Sequence, residues 1–164
     1  MTARTAWTGG NLNSGLGWVT AINSADMASM TTAQSVVSSV ADITNGTSLD
    51  IFADISFSLA ISSSTIAAGA TIPFWLFLLN QDGSTYGDGQ FTNGTAASKT
   101  PTFAPCGVFP LVAATAQTTL VGTVSGIIIP PGSFRFGMQN NSGFTLTSGT
   151  QTVKYRSYNT NLNS

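Results

Sequence analysis

The sequence predicts an all-β fold, an antiparallel β-sandwich that is jelly-roll-like and has about eight or nine strands. Short runs of alternating apolar and polar residues recur along the chain, and clusters of Gly, Pro and Asn separate them. No helical segment alternates with these runs as it would in a βαβ protein. We divide the chain into an extended N-terminal arm, residues 1–24, and one sandwich domain, residues 25–164.

The clearest strand is residues 49–61, in which every odd position is apolar. A period of two is typical of a strand with one buried face. The run is longer than the usual strand of about 5–6 residues, so we expect it to bend, to bulge or to serve two sheets. Asp50 and Asp54 occupy even positions, and we expect both side chains to point outward.

The arm contains two of the three tryptophans, Trp7 and Trp18, in a segment rich in Gly, Asn, Ser and Thr. A Trp ring on a polar segment has to be buried against something, and aromatic residues are enriched at interfaces. The arm therefore either folds back on its own sandwich or places its rings against a neighbouring subunit. Trp7 and Trp18 are candidates for a partner interface.

Residues 26–42 allow two interpretations. Apolar residues follow Asp26 at helical spacing, and this residue can cap a helix. Residues 36–40, however, are β-branched and Ser-rich, which disfavours a helix. We predict a short turn or helix near residues 25–31 and a strand over residues 34–43.

The remaining elements follow from turn residues and alternation. Asn45 and Gly46 predict a tight hairpin turn into the strand at 49–61. Residues 71–79 are apolar on both faces, which predicts a strand covered on both sides, either by the partner sheet and a loop or by another subunit. Residues 80–89 are predicted to form a loop, and residues 90–107 a long irregular segment with short strands. Further strands are predicted at residues 108–112, 117–124, 133–138, 144–146 and 153–158.

The composition argues against an enzyme. The chain has no His and one Cys, Cys106, so neither a Ser-His-Asp triad nor a Cys–His pair can form. Asp50 and Asp54 would lie about 13 Å apart along one strand, too far for a glycosidase pair. Asp82 and Asp88 lie in a Gly-rich loop that lacks EF-hand spacing, so a plain turn is preferred to a Ca²⁺ site. We predict no catalytic residue, no metal and no cofactor.

The charged residues are candidates for contacts between strands or subunits. Asp50 and Asp54 lie on one predicted strand, whereas Arg135, Lys154 and Arg156 lie on others. Opposite charges in this arrangement form either cross-strand or cross-subunit ion pairs, although solvated surface charges are the preferred interpretation. We name Asp50, Asp54, Arg135 and Arg156 as further partner-interface candidates.

The low charge predicts an obligate oligomer. Charged residues make up 7% of the chain and the net charge is −1, so copies of the chain repel one another little. A surface of hydroxyls and amides suits a large permanent interface. Nucleic acid is excluded as a partner because the five basic residues are scattered. A membrane is excluded because the longest apolar run, residues 72–79, is too short to span a bilayer.

The last third of the chain carries a family resemblance. Its segments are Gly126 to Phe136, Gln139 to Gly143 and Val153 to Asn159. Together with the turn at 43–47 and the strand at 50–59, they resemble small virion structural proteins of tailed bacteriophages. Proteins of this family are capsid decoration, cement or head-fibre components.

The resemblance implies a jelly-roll-like domain on the outer surface of an assembled phage capsid. It further implies a homotrimer that binds the major capsid protein of the same virion and bridges neighbouring capsomers. The alternative is a jelly-roll fibre or tail module that binds host-surface carbohydrate through exposed aromatic residues such as Tyr86 and Tyr155. An enzyme is the least favoured class.

Overall fold

A computed structural model of the chain describes residues 4–9, 17–47, 49–82, 86, 94–147 and 149–163. The described residues form ten β-strands and one turn of 3₁₀ helix, Ala25–Met27. The strands are β1 Arg4–Gly9, β2 Val19–Ile22, β3 Ser35–Val37, β4 Ile43–Thr44, β5 Phe52–Ile66, β6 Thr71–Leu78, β7 Gly107–Pro110, β8 Ala114–Ile128, β9 Ser133–Gln139 and β10 Thr152–Asn163. None of the described helical residues forms a segment long and apolar enough to cross a membrane.

The strands form two antiparallel sheets of five strands each. Sheet 1 has the order β1-β10-β5-β8, and β2 also pairs with β10. Sheet 2 has the order β3-β9-β6-β7, and β4 also pairs with β9. The predicted all-β antiparallel sandwich is therefore confirmed.

One core lies between the sheets, and β5 supplies much of it. The inward residues of β5 are all at most 3% exposed; they are Ala53, Ile55, Phe57, Leu59 and Ile61. The ring of Phe57 lies 5.7 Å from that of Phe74 on β6, centroid to centroid. Phe136 on β9 and Tyr155 on β10 are 5.5 Å apart in the same way. The alternation of residues 53–61 thus predicted the buried face correctly, because a strand places every second side chain on one side.

The alternation fails at the start of the predicted strand. Leu49 and Ile51 are 57% and 50% exposed, because they precede β5 in the connection between the sheets. Leu49 has a φ of 49°, which is not an extended conformation. The expected irregularity is present, since the β5–β8 register shifts at three places between Ala53 and Ile66. These shifts are bulges, which bend and twist a long strand.

The predicted hairpin at Asn45 and Gly46 is wrong. β4 pairs with β9 in sheet 2 and β5 belongs to sheet 1, so the two strands are not neighbours. Asn45 is fully buried, and its amide donates to the carbonyl oxygens of Asp50 and Pro130 at 2.8 and 2.9 Å. Its side-chain oxygen accepts from the Asp50 N–H at 2.8 Å. Asn45 therefore closes a crossing between the sheets.

Several other elements differ in extent from their predictions. The strand predicted at 34–43 is divided into β3 and β4, which both pair with β9. Residues 144–146 form no strand, and Leu146 makes one isolated bridge to Ile61. The predicted strand at 117–124 is part of the longer β8. Hydrophobic alternation marks which face is buried but does not mark where pairing ends.

β6 is covered on both sides, as predicted. Ile72 and Phe74 face the core, whereas Trp75 and Phe77 form a smaller cluster with Val37. The loop before β7 covers this second cluster: Trp75 Nε1 donates to the Phe103 carbonyl at 3.0 Å, and the Phe103 ring contacts that of Phe77 at 5.3 Å. A loop of the same chain therefore provides the second cover.

Two segments of the predicted arm are strands of sheet 1. β1 pairs with β10 from Arg4 to Gly9, and β2 pairs with the beginning of β10. Trp7 lies on β1, and its side chain is outside the described residues. The division into an arm and a domain stays a prediction.

Candidate functional site: the outer face of sheet 1

The outer face of sheet 1 carries an open groove. Side chains at the even positions of β5 point away from the core, and the register aligns them with residues of the two neighbouring strands. Ser56 lies between Lys154 of β10 and Thr123 of β8, so these three residues form one row. A second row contains Thr152, Ser58 and Val121.

The two rows form the floor of a groove of about 550 Å³. Its lining residues are Trp18, Ser56, Phe57, Ser58, Val121, Gly122, Thr123, Thr152 and Lys154. Trp18 stands at its side because it immediately precedes β2, which pairs with β10 beside Lys154. No carboxylate is among these lining residues.

Asp54 lies next to the groove on the same face, and its side chain is 5% exposed. Oδ2 accepts hydrogen bonds from Nε and Nη2 of Arg156 at 3.0 and 2.9 Å. Oδ1 accepts from the Tyr158 hydroxyl and from the Gly126 N–H, both at 3.1 Å. The four donors compensate for the loss of water around a buried charge.

The Gly126 N–H reaches Asp54 because β8 bulges there. Ala53 pairs with Ile127 and Ile55 pairs with Val124, so two residues of β8 lie opposite Asp54 alone. Gly126 has a φ of 72°, a left-handed conformation that glycine adopts without steric strain. The carboxylate of Asp54 therefore fixes the geometry of the bulge.

Arg156 links Asp54 to Trp18. Its guanidinium carbon lies 4.8 Å from the centroid of the Trp18 ring, a cation–π contact. Two hydrogen bonds to Asp54 hold the guanidinium, so it supports the indole in a defined position. Trp18 is nevertheless 38% exposed. The structure thus brings three of the predicted interface candidates together: Trp18, Asp54 and Arg156.

The expectation that Asp50 and Asp54 point into solvent is wrong. Their residues are 2% and 4% exposed, respectively. Asp54 is covered by Arg156 and Tyr158 of the adjacent strand, and Asp50 lies in the connection closed by Asn45. The preferred interpretation of solvated charges is also wrong for Asp54, which forms a cross-strand ion pair.

Asp50 retains one unused oxygen. Oδ1 accepts a hydrogen bond from the Asn159 amide at 3.0 Å. Oδ2 is buried and has no hydrogen-bond partner among the residues that the structure describes. Its role as a contact for a partner's basic group stays a prediction.

Arg135 lies apart from this site, on β9 of sheet 2. Its Nε donates to Asp42 at 2.7 Å, and its guanidinium carbon lies 4.9 Å from the Tyr86 ring centroid. The Tyr86 hydroxyl also donates to Asp42, and this hydrogen bond is the main cause of a lowered Asp42 pKa. Burial, followed by the bond to Asp42, raises the pKa of Tyr86 to about 12.

Of the two tyrosines proposed as exposed sugar contacts, one is buried in the core. Tyr155 is 5% exposed and packs in the core, because it is at an inward position of β10. Tyr86 is half-buried, and Arg135 covers one face of its ring. An aromatic platform needs an accessible face, so the expectation is wrong for Tyr155 and stays a prediction for Tyr86.

The sequence interpretation missed the groove and most of its lining. Lys154, Ser56, Ser58, Thr123 and Thr152 line it. The sequence did indicate that Lys154 and Arg156 share one face of a strand, because they are two residues apart. The rows across three strands could not be read from the sequence, since they depend on register.

Reactive groups elsewhere are few in the described part of the chain. No group of three or more His, Cys, Asp or Glu residues lies close enough to hold a metal ion there. Asp82 is exposed, and Asp88 is outside the described residues. Burial raises the pKa of the Cys106 thiol to about 12, and its Sγ lies 3.3 Å from the Phe74 carbonyl oxygen. A thiol of this kind stays protonated and unreactive.

Comparison of the chain with models of known protein families, with curated proteins and with solved structures finds no match.

Proposed function

We propose that this chain is a structural protein of a virion, one that binds the outer surface of an assembled phage capsid and bridges its capsomers. On this proposal the chain forms a homotrimer and contacts the major capsid protein. The resemblance of residues 126–159 to decoration proteins motivates the proposal, and two features of the fold support it.

The first feature is the order of strand pairing. If β1 with β2, and β3 with β4, are each counted as one interrupted strand, the first half of the chain pairs with the second half in reverse order. β10 pairs with β1 and β2, β9 pairs with β3 and β4, β8 pairs with β5, and β7 pairs with β6. A long hairpin rolled in this way is a jelly roll, an architecture used in viral capsid domains. The pairing therefore supports the jelly-roll assignment.

The second feature, which carries the proposal, is the edge strand β8. It is the last strand of sheet 1, and among the described residues it pairs only with β5. Its residues, from Ala114 to Ile128, include no charged side chain. Val121 and Ile128 are 64% and 71% exposed. A long edge without charge is a template for pairing with another chain, and proteins that stay monomeric usually protect such edges.

The neighbouring edge of sheet 2 extends this surface. Val108 on β7 and Val112 just after it are 46% and 82% exposed. Gly107 and Gly122 let the two edges approach closely, because a Cβ at Gly122 would lie 2.5 Å from the Phe109 ring. We propose that a second copy of this chain covers the β8 edge. In a trimer, β8 of one copy contacts a different surface of the next copy, and an uncharged strand leaves no charge of its own unpaired in that interface.

The oligomer can be tested with Ile128→Lys, which places a charge on the β8 edge. We expect light scattering to give a trimer for the unmodified chain at micromolar concentration and a monomer for the variant. The control is Leu78→Lys. Leu78 is 48% exposed and belongs to β6, which has strand neighbours on both sides in sheet 2. This control should remain a trimer.

Capsid binding is tested by cosedimentation with shells assembled from the major capsid protein of the same virus. The unmodified chain should sediment with the shells and raise their melting temperature, and Ile128→Lys should do so more weakly. The proposal would be contradicted if the unmodified chain were a folded monomer that neither sediments with the shells nor stabilises them.

A further inference from the structure

We propose that the groove on the outer face of sheet 1 binds an acidic saccharide, a sugar whose ring carries a carboxylate. This function goes beyond the bridging of capsomers, because it uses the outer face of sheet 1, to which β8 contributes Val121 and Thr123, rather than the backbone edge of β8. Three properties of the groove carry the inference: its hydroxyl floor, its supported indole and its unpaired ammonium group.

The floor offers hydroxyls. Ser56, Ser58, Thr123 and Thr152 lie side by side on three adjacent strands. A hydroxyl can both donate and accept, which matches the hydroxyls of a sugar. β5, which carries Ser56 and Ser58, pairs with β10 on one side and with β8 on the other, so an extended peptide finds no free sheet edge at the centre of the floor. The volume of about 550 Å³ lies within the range of about 300–1,000 Å³ that is usual for small-ligand sites.

Trp18 supplies an apolar surface at the side of the groove. Its ring is held by Arg156, which is itself held by two hydrogen bonds to Asp54. The indole is therefore positioned before any ligand arrives, while 38% of the residue stays exposed. The C–H face of a sugar ring is apolar and packs against such an aromatic surface. Pre-positioning reduces the entropy lost when a ligand binds.

Lys154 gives the groove its preference for an anion. The residue is exposed, and it makes no ion pair or hydrogen bond among the described residues. The other nearby cation, Arg156, is neutralised by Asp54. The lining residues include no carboxylate, so the charge of Lys154 is not balanced within the groove. A carboxylate on the sugar would accept a charge-assisted hydrogen bond from this ammonium group.

Binding can be tested on an array of acidic and neutral oligosaccharides, followed by calorimetric titration of the strongest binder. We expect acidic oligosaccharides to bind at least about tenfold more tightly than neutral ones of the same length. We expect Lys154→Gln to weaken binding about tenfold, and Trp18→Ala to weaken it by a similar factor.

Matched controls separate the groove from general effects. Phe103→Ala removes an aromatic residue that is 37% exposed, close to the 38% of Trp18, but on the loop beside sheet 2. Lys99→Gln removes an exposed cation outside the groove. Both variants should keep the affinity of the unmodified chain. Melting temperatures show whether Trp18→Ala remains folded, and Lys154→Gln changes only an exposed side chain.

The outcomes distinguish this inference from the capsid proposal. Retained saccharide binding by Ile128→Lys would support a site separate from the β8 edge. Equal binding of neutral and acidic saccharides would overturn the inference. No saccharide binding, or unchanged affinity in Lys154→Gln, would do the same. Loss of capsid binding in Lys154→Gln, without any saccharide binding, would show that the groove contacts protein and would also overturn it.

Discussion

Two ion pairs among the described residues involve the same residue types but differ in their surroundings. Asp54 and Arg156 lie on the outer face of sheet 1, and Asp42 and Arg135 lie on sheet 2. The Asp54 side chain is 5% exposed, compared with 32% for Asp42. Asp54 accepts from a bulge N–H as well as from side chains, whereas Asp42 accepts from Arg135 and Tyr86.

This difference shows that burial and backbone contacts determine how much an ion pair contributes to the surrounding structure. The Asp54 pair shapes β8 and supports Trp18 beside the groove. The Asp42 pair contacts the hydroxyl and the ring of Tyr86. When a buried carboxylate loses its hydrogen-bond donors, its oxygens stay buried without a partner. An exposed carboxylate instead accepts hydrogen bonds from water.

The largest expected effect comes from Asp54→Asn. The amide removes the charge and replaces one carboxylate oxygen by an NH2 group, so either Arg156 or the pair of donors Tyr158 and Gly126 loses its acceptor. We expect the free energy of unfolding to fall by about 2–4 kcal/mol. Asp42→Asn, its counterpart on sheet 2, should lower it by at most about 1 kcal/mol. Chemical denaturation measures both, and equal losses would contradict the comparison.

Gly126→Ala tests the bulge that belongs to the Asp54 site alone. Its φ of 72° is strained for alanine, although no atom lies within 4 Å of the added Cβ. We expect a loss of about 1–2 kcal/mol in unfolding free energy. Gly132→Ala is the matched control, with a φ of 96°, equally open space and no carboxylate partner. If the contact with Asp54 matters, Gly126→Ala should lose more stability than the control and should also weaken saccharide binding.

The smallest effect concerns Tyr86 in the Asp42 pair, and it is confined to alkaline pH. The folded state raises the Tyr86 pKa from 10.0 to about 12, so it holds this proton more tightly than the unfolded chain does. The associated stability is present below pH 10 and is lost as the pH rises towards 12. Tyr86→Phe should therefore lose less stability over this range than the unmodified chain.

An absorbance titration measures the same effect directly. Subtracting the titration of Tyr86→Phe from that of the unmodified chain isolates tyrosinate formation at Tyr86. The midpoint should lie near pH 12 and should fall towards 10 in Asp42→Asn, because the hydrogen bond to Asp42 contributes to the shift. A midpoint of 10 in the unmodified chain would show that neither burial nor the bond to Asp42 raises the pKa of Tyr86.

The sandwich itself could be predicted from local pattern, but its candidate site could not. The alternation of residues 53–61 identified the buried face of β5, because the two-residue period of a strand is a local property. The hairpin at Asn45 failed because a turn signal does not reveal that the following strand enters the other sheet. The groove was missed because its rows depend on the register between β5, β8 and β10.

The sequence by itself determined an all-β chain, its main buried faces and a composition poor in charge. It also identified Trp18, Asp54 and Arg156 as residues of interest. Only the tertiary structure placed them together and showed that Asp54 is buried. Asp54 and Arg156 are 102 residues apart in sequence, and they meet because β10 returns beside β5. The environment of a side chain depends on neighbours from distant segments, and a local sequence pattern carries no information about them.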